Sequence, residues 1–336
     1  MQKINKMYLE NYKKCIFCKS SKLKIMKDQI FFRNFYIDAI KSDLNLSDET
    51  FKKMKVFKCS NCYNIQNSPW FKKEIAKQIF SEIYGQHNRG WSNVINFFNK
   101  GNKPDHGDLF KYLEKKIKVK NYAEFNSPFM GLMIDFFSTE YLNNLKFYKN
   151  LFSTSINYLS SRQVAGYNNL IKKKSQKKAK NLLMKIKKLK SKNLIKKKVN
   201  KWLITDNSYF AWGENDNFKS VNSKSLASSL FDMKVVNAEE INKAHKFDLF
   251  GIFHTLDHTH QPNKILNLAL NLSKFVIVYC HVDERLEKQH LFSFTDEFLN
   301  YLNKNNIYTK NLTKIINKKY KSPELYFLCS KSKIKF

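Results

Sequence analysis

The sequence predicts an α/β chain: a doubly wound, mostly parallel sheet with a small N-terminal zinc-binding domain and a helical basic insertion. Three observations carry this. After Asn200, strand-like and helix-like segments alternate, the pattern of a sheet with helices on both faces. Two of the strand-like runs, KFDLFGIFH at 246–254 and KFVIVYCH at 274–281, are apolar nearly throughout, as strands buried on both faces are. Four of the six cysteines form Cys15-Ile-Phe-Cys18 and Cys59-Ser-Asn-Cys62, two CxxC pairs in a segment too short to build a large core unaided.

The cysteine pairs are the strongest local signal. Each CxxC makes a tight knuckle that presents two sulfurs to one ion, and two knuckles complete a tetrahedral four-thiolate zinc site. Such a site is closed, with no position left for a reacting water, so a structural staple is expected, the other reading being a zinc ribbon that grips RNA or DNA. The N-terminus has charged residues where a secretion signal needs a continuous apolar stretch, so the expected location is the cytoplasm, where thiols stay reduced. Cys280 and Cys329 sit in apolar runs, read as small buried hydrophobes without a chemical role.

The remaining elements follow in order. Ser68 and Pro69 read as the N-cap and first residue of a helix, opening a helical connector over 67–118 that ends with DLFKYLEKKIK at 108–118. KNYAEF at 120–125 reads as a strand, NSPFMG as a turn and 132–152 as a helix. Residues 140–200 form a Lys-rich helical stretch in which Leu182, Leu183, Ile186 and Leu189 supply one apolar stripe; a solvated insertion is expected, against an RNA-contacting arm or a membrane-surface helix. Strands are then predicted at KWLIT, SYFAWGEN, MKVVN, KFDLFGIFH and KFVIVYCH, helices at SKSLASSLF, NKILNLALNLS and TDEFLNYLNKN, and a closing strand pair at NIYTKN and ELYFLCSK. The domain plan is 1–66 for zinc, 67–118 as connector and 119–336 as the α/β domain.

Charge narrows the partners. The chain of 336 residues holds 61 Lys and Arg against 28 Asp and Glu, a formal +33, which alone would suggest nucleic acid. All but four of those cations are Lys, however, and Asn, Ile, Phe and Tyr are abundant while Gly and Pro are scarce. Base-edge and bidentate phosphate recognition favour Arg, so the bias reads as coding composition and nucleic acid is not the favoured partner. No apolar stretch approaches the roughly 18 to 20 residues of a membrane helix.

At the strand ends the residues resemble a family, the class I S-adenosylmethionine-dependent methyltransferases, and within it the sugar C-methyltransferase type with an N-terminal four-cysteine zinc domain. The most specific stretch is Phe247 to Pro262, FDLFGIFHTLDHTHQP: a strand starting Phe-Asp, an apolar run, a Leu-acid-His turn and a Pro opening the next helix. The resemblance implies a Rossmann-like methyltransferase fold with S-adenosylmethionine and zinc as its cofactors. It places the cofactor against Glu124, Asn126 and Gly131 of the first strand and turn, where Asn126 and Pro128 replace the usual glycines. Glu214 would then meet the ribose, Asn237 the adenine amine and His254 the cofactor edge. It also implies a catalytic His290 in the loop after the fifth strand and a second catalytic candidate in His258, nearer the expected cofactor, acting on a small, sugar-derived acceptor. In that chemistry a base removes a proton beside a keto group, work suited to an imidazole. His254, His258 and His260 are not expected to bind metal, because their spacing enforces no common coordination face. A zinc-ribbon RNA or DNA methyltransferase and a non-catalytic methyltransferase-like binding protein are the alternatives.

Overall fold

The computed structural model describes residues 8–26, 35–79, 106–125, 131–133, 135–136, 184, 199–205, 233–242, 244–282, 286, 288, 290–316 and 324–336. The expected helix at 223–231, nearly all of the insertion, Asn126 and Glu214 lie outside those residues. The chain divides into two compact units, one of residues 1–84 with 252–336 and one of residues 85–251.

The N-terminal part of the first unit comprises β1 (Leu9–Glu10), β2 (Leu23–Ile25), α1 (Phe35–Leu44), α2 (Asp48–Lys52), β3 (Lys55–Cys59), β4 (Ile65–Ser68), β5 (Trp70–Phe71) and α3 (Lys73–Gln78). The helix expected to begin at Ser68 begins at Lys73 instead. Ser68 completes β4, pairing with Lys55 of β3, and its hydroxyl accepts a hydrogen bond from the Tyr12 amide at 2.9 Å. The Ser-Pro signature of a helix start is thus overridden by strand pairing and by a side-chain bond to a distant segment.

The second unit holds α4 (Gly107–Lys116), β6 (Asn121–Phe125), β7 (Asn200–Thr205), β8 (Met233–Asn237) and most of β9 (Phe247–Phe253). β6 pairs parallel with β7, and β7 parallel with β8. Phe125 lies opposite Ile204, and Thr205 opposite Asn237, so the three carboxyl ends are level. Leu109, Phe110 and Leu113 of α4 are buried, one apolar face on a helix that is otherwise charged.

The first unit resumes with a 3-10 turn (Leu256–His258), α5 (Pro262–Leu272), β10 (Ser273–His281), β11 (Phe292–Ser293), α6 (Asp296–Lys304), β12 (Tyr308–Asn311), α7 (Thr313–Ile316) and β13 (Glu324–Ser330). α5 starts with Pro262 in its first turn and buries Ile265, Leu266, Ala269 and Leu270, as helical spacing predicts. β13 runs antiparallel to both β10 and β12. Val276, Ile277 and Val278 are fully buried, as are Phe327 and Leu328 opposite, which is why this hairpin-like closure reads as two continuous apolar runs.

Among the described residues the strands of the large sheet run β9-β6-β7-β8 in the second unit and β12-β13-β10 in the first. The expected doubly wound α/β architecture is present. A smaller sheet runs β11-β4-β3-β2, and its edge strand β11 comes from more than two hundred residues further along the chain than β4. No described helix is long and apolar enough to cross a membrane.

Candidate functional site

The four N-terminal cysteines converge. Cys15 Sγ lies 3.5 Å from Cys62 Sγ, and Cys18 Sγ lies 3.6 Å from Cys59 Sγ. All four sulfurs fall within 4.8 Å of one another, and none forms a disulfide. A tetrahedron with metal–sulfur bonds of ~2.3 Å has edges of about 3.8 Å, so little movement separates this cluster from a zinc site. The two knuckles repeat one geometry. Lys19 and Tyr63, the residues after each second cysteine, both have left-handed φ (61° and 66°), and their amides donate to the carbonyls of Cys15 and Cys59, each at 2.9 Å. The hydrogen bond from Cys62 brings the Cys15 thiol down to about 6, and the same bond pushes Cys62 up. The donor set fits zinc.

A second cluster forms where β9, the 3-10 turn, β10 and the loop before β11 meet. Asp257 is fully buried, and its Oδ2 accepts a hydrogen bond from His281 Nδ1 at 2.8 Å. Its other oxygen, Oδ1, has no hydrogen-bond partner among the described residues and lies 3.8 Å from His258 Nε2. The His290 ring stacks on His281 with centroids 5.1 Å apart and tilts against His258 at 4.6 Å. Burial alone would raise the Asp257 carboxyl, but the charges that His258, His281 and His290 carry when protonated, together with the His281 hydrogen bond, outweigh it and hold that group well below the usual carboxylate range. Burial lowers both His258 and His290, against the pull of Asp257, so both rings are neutral at pH 7. The cluster is a buried carboxylate faced by two neutral imidazoles, with His281 its most exposed member.

The loop that carries His290 is anchored by the cysteine-bearing segment. Asn67 of β4 donates its side-chain amide to the His290 carbonyl at 2.8 Å, and its main-chain amide donates to Leu291 at 2.9 Å. Trp70 Nε1 donates to the Lys288 carbonyl at 2.9 Å. The Lys288 ammonium is spent on the Met54 carbonyl and Asn67 Oδ1, at 2.6 and 3.1 Å, and burial brings it down to about 8. Leu286 packs with Val56 and Ile65. The staple and the His290 loop are therefore one piece of structure.

The three histidines of the 254–260 stretch diverge. His254 follows β9 with a left-handed φ of 49° and packs its ring edge-on against Tyr279, centroids 4.2 Å apart. His260 Nε2 contacts the Phe71 carbonyl at 3.1 Å, with the Trp70 ring 5.5 Å away. Only His258 reaches the carboxylate cluster. In the second unit, Glu124 is wholly buried, accepting from the Tyr122 hydroxyl and from the Met133 amide, the latter at 3.1 Å. Gly131 lies in the turn before Met133. Asn237 ends β8, and its side-chain oxygen accepts the Glu239 amide at 3.1 Å.

Sequence reasoning missed His281 altogether and saw Asp257 only as the acid of a Leu-acid-His turn. A signal existed for His281: it is the polar residue at the carboxyl end of an otherwise apolar strand, the edge where ligands of doubly wound sheets bind.

No protein-family profile matches the chain, and no curated protein matches it. Among solved structures, the chain is similar to the plantazolicin methyltransferase BpumL in complex with SAH, at 10% identity and a TM-score of 0.37, over 76% of this chain and 94% of that one. It is also similar to the N-terminal domain of EvdMO1 in the presence of SAH and D-fucose, at 10% identity and a TM-score of 0.31, over 68% of this chain and 82% of that one.

Proposed function

We propose that the chain transfers a methyl group from S-adenosylmethionine to a small, sugar-derived acceptor in the cytoplasm. One observation carries the reading: the strand order. Within the second unit the chain passes from β6 to β7 and β8 on one side, then resumes with β9 on the other. That reversal is a topological switch point, and ligands of such sheets bind outside the carboxyl ends there. The carboxyl ends of β6 and β8 carry Glu124 and Asn237, two of the positions that the sequence resemblance assigns to the cofactor, with Asn126, Gly131, Glu214 and His254 completing the set.

When bound, the cofactor would supply an already activated sulfonium methyl, so most of the protein's contribution is alignment of donor and acceptor. Asn237 offers a side-chain amide at a strand end. His290 and His258 are assigned to the acceptor: a neutral imidazole can take the proton from the carbon beside a keto group, and burial keeps both rings neutral. Cys15, Cys18, Cys59 and Cys62 are assigned to a structural zinc that stiffens β4, which in turn fixes the His290 loop. In this reading the domain plan remains 1–66, 67–118 and 119–336.

Calorimetry with the stable demethylated product, S-adenosylhomocysteine, tests the proposal. Micromolar-range binding supports it. If neither this product nor S-adenosylmethionine binds at millimolar concentration, a non-catalytic role for the fold becomes the better account.

A further inference from the structure

We propose a second metal site, separate from the four thiolates, in which Asp257, His258 and His290 hold a divalent transition ion. The three residues each offer one ligand atom, and those atoms lie within 4.8 Å of one another. The carboxylate is divided between two tasks. Oδ2 is fixed by His281, while Oδ1 is buried, has no hydrogen-bond partner among the described residues and sits on the side of His258. A buried carboxylate oxygen without a partner is costly, and a cation between it and the two imidazoles would remove that cost.

The surroundings suit an ion as well as the donors do. Ligating carboxylates are usually oriented by a further hydrogen bond, and His281 supplies one at 2.8 Å. His290 is set by main-chain anchors rather than by its ring, through Asn67 to its carbonyl, which leaves the imidazole available. Two imidazoles and one carboxylate favour borderline ions such as Zn²⁺, Fe²⁺ or Co²⁺ over Mg²⁺ or Ca²⁺, which prefer oxygen. Three protein ligands leave coordination positions for an oxygen of a second molecule. With an ion bound, His258 and His290 act as ligands, and the proton-acceptor role proposed above belongs to the ion-free protein. This site rests on the donors alone and does not depend on methyl transfer.

The experiment is metal stoichiometry on the full chain. Protein equilibrated with micromolar free Zn²⁺ and analysed by mass spectrometry for metal should hold two zinc ions per chain, and His290→Ala should hold one. Substituting Co²⁺ separates the two sites: thiolate-to-metal charge-transfer bands report the cysteines and persist in His290→Ala, while the weaker bands of the nitrogen and oxygen site disappear. Asp257→Asn, nearly the same shape, provides a second variant should His290→Ala fail to fold, and it too should lose one ion. One zinc in the wild type, or a Co²⁺ spectrum unchanged in both variants, overturns the site. Either result leaves the S-adenosylhomocysteine titration unaffected, so the two proposals fail separately.

Discussion

Asn67 donates its side-chain amide to the main-chain carbonyl of His290 across 2.8 Å, joining β4 to a loop 223 residues away in sequence. The bond is buried at both ends, and Asn67 Oδ1 also receives the Lys288 ammonium. Replacing this side chain leaves a buried carbonyl and a buried ammonium short of a partner each. Asn67→Ala should therefore lower stability by about 1–3 kcal/mol for the lost bonds, measured by urea denaturation, with Asn67→Asp intermediate because it keeps the acceptor for Lys288.

The thiolate cluster should behave as a staple for the same loop. Cys59→Ser is expected to lose one zinc relative to wild type and to expose the 286–291 loop to faster amide hydrogen exchange, since metal binding and local folding are coupled. Unchanged zinc content, or unchanged exchange in that loop, would separate the cysteines from the His290 loop.

His290→Ala should keep affinity for S-adenosylhomocysteine within about threefold while lowering turnover by roughly 10² or more, the usual range for a positioned group at the reacting end. A panel of nucleotide-linked keto sugars supplies the acceptor. Deuterium exchange at the carbon beside the keto group gives a readout independent of methyl transfer, and equal exchange by wild type and variant would move the proton acceptor elsewhere.

His106 gives a pH dependence. It is buried, and burial brings it down from 6.5 to about 4. Its folded pKa lies below its unfolded one, so the unfolded chain binds more protons between those values and stability falls as the pH drops from 6.5 toward 4. Its share is about 3.5 kcal/mol at ~1.4 kcal/mol per unit. His258 and His290 act in the same direction, so the measurement is a difference: His106→Phe should show a shallower acid slope than wild type over that window.

The sequence was most legible where one periodicity fills a whole element. KFVIVYCH and ELYFLCSK became β10 and β13, paired from Val276 with Cys329 to His281 with Glu324, because continuous apolar runs admit few other fates. The two CxxC pairs likewise specified their convergence. Less was legible where long-range bonds decide the outcome: Ser68-Pro69 carries a helix-start signature, yet pairing with β3 and the Tyr12 bond placed it in a strand. β11, two residues long, is too short for any period to reveal. The carboxylate cluster was half visible, since His258 and His290 were marked from the resemblance while Asp257 and His281 become partners only when the end of β10 lies against the 3-10 turn.

The pairing of β4 with β11 also sets an order of assembly on the ribosome. β4 is made early, and its partner Phe292–Ser293 follows more than two hundred residues later. At synthesis rates of roughly 5–20 residues per second, the N-terminal segment spends ten seconds or more with the β4 edge uncovered. An open strand edge is a template for pairing with another chain. A chain truncated before β11 should therefore be prone to self-association even with its four thiolates filled, and Phe292–Ser293 is the cap that ends this exposure.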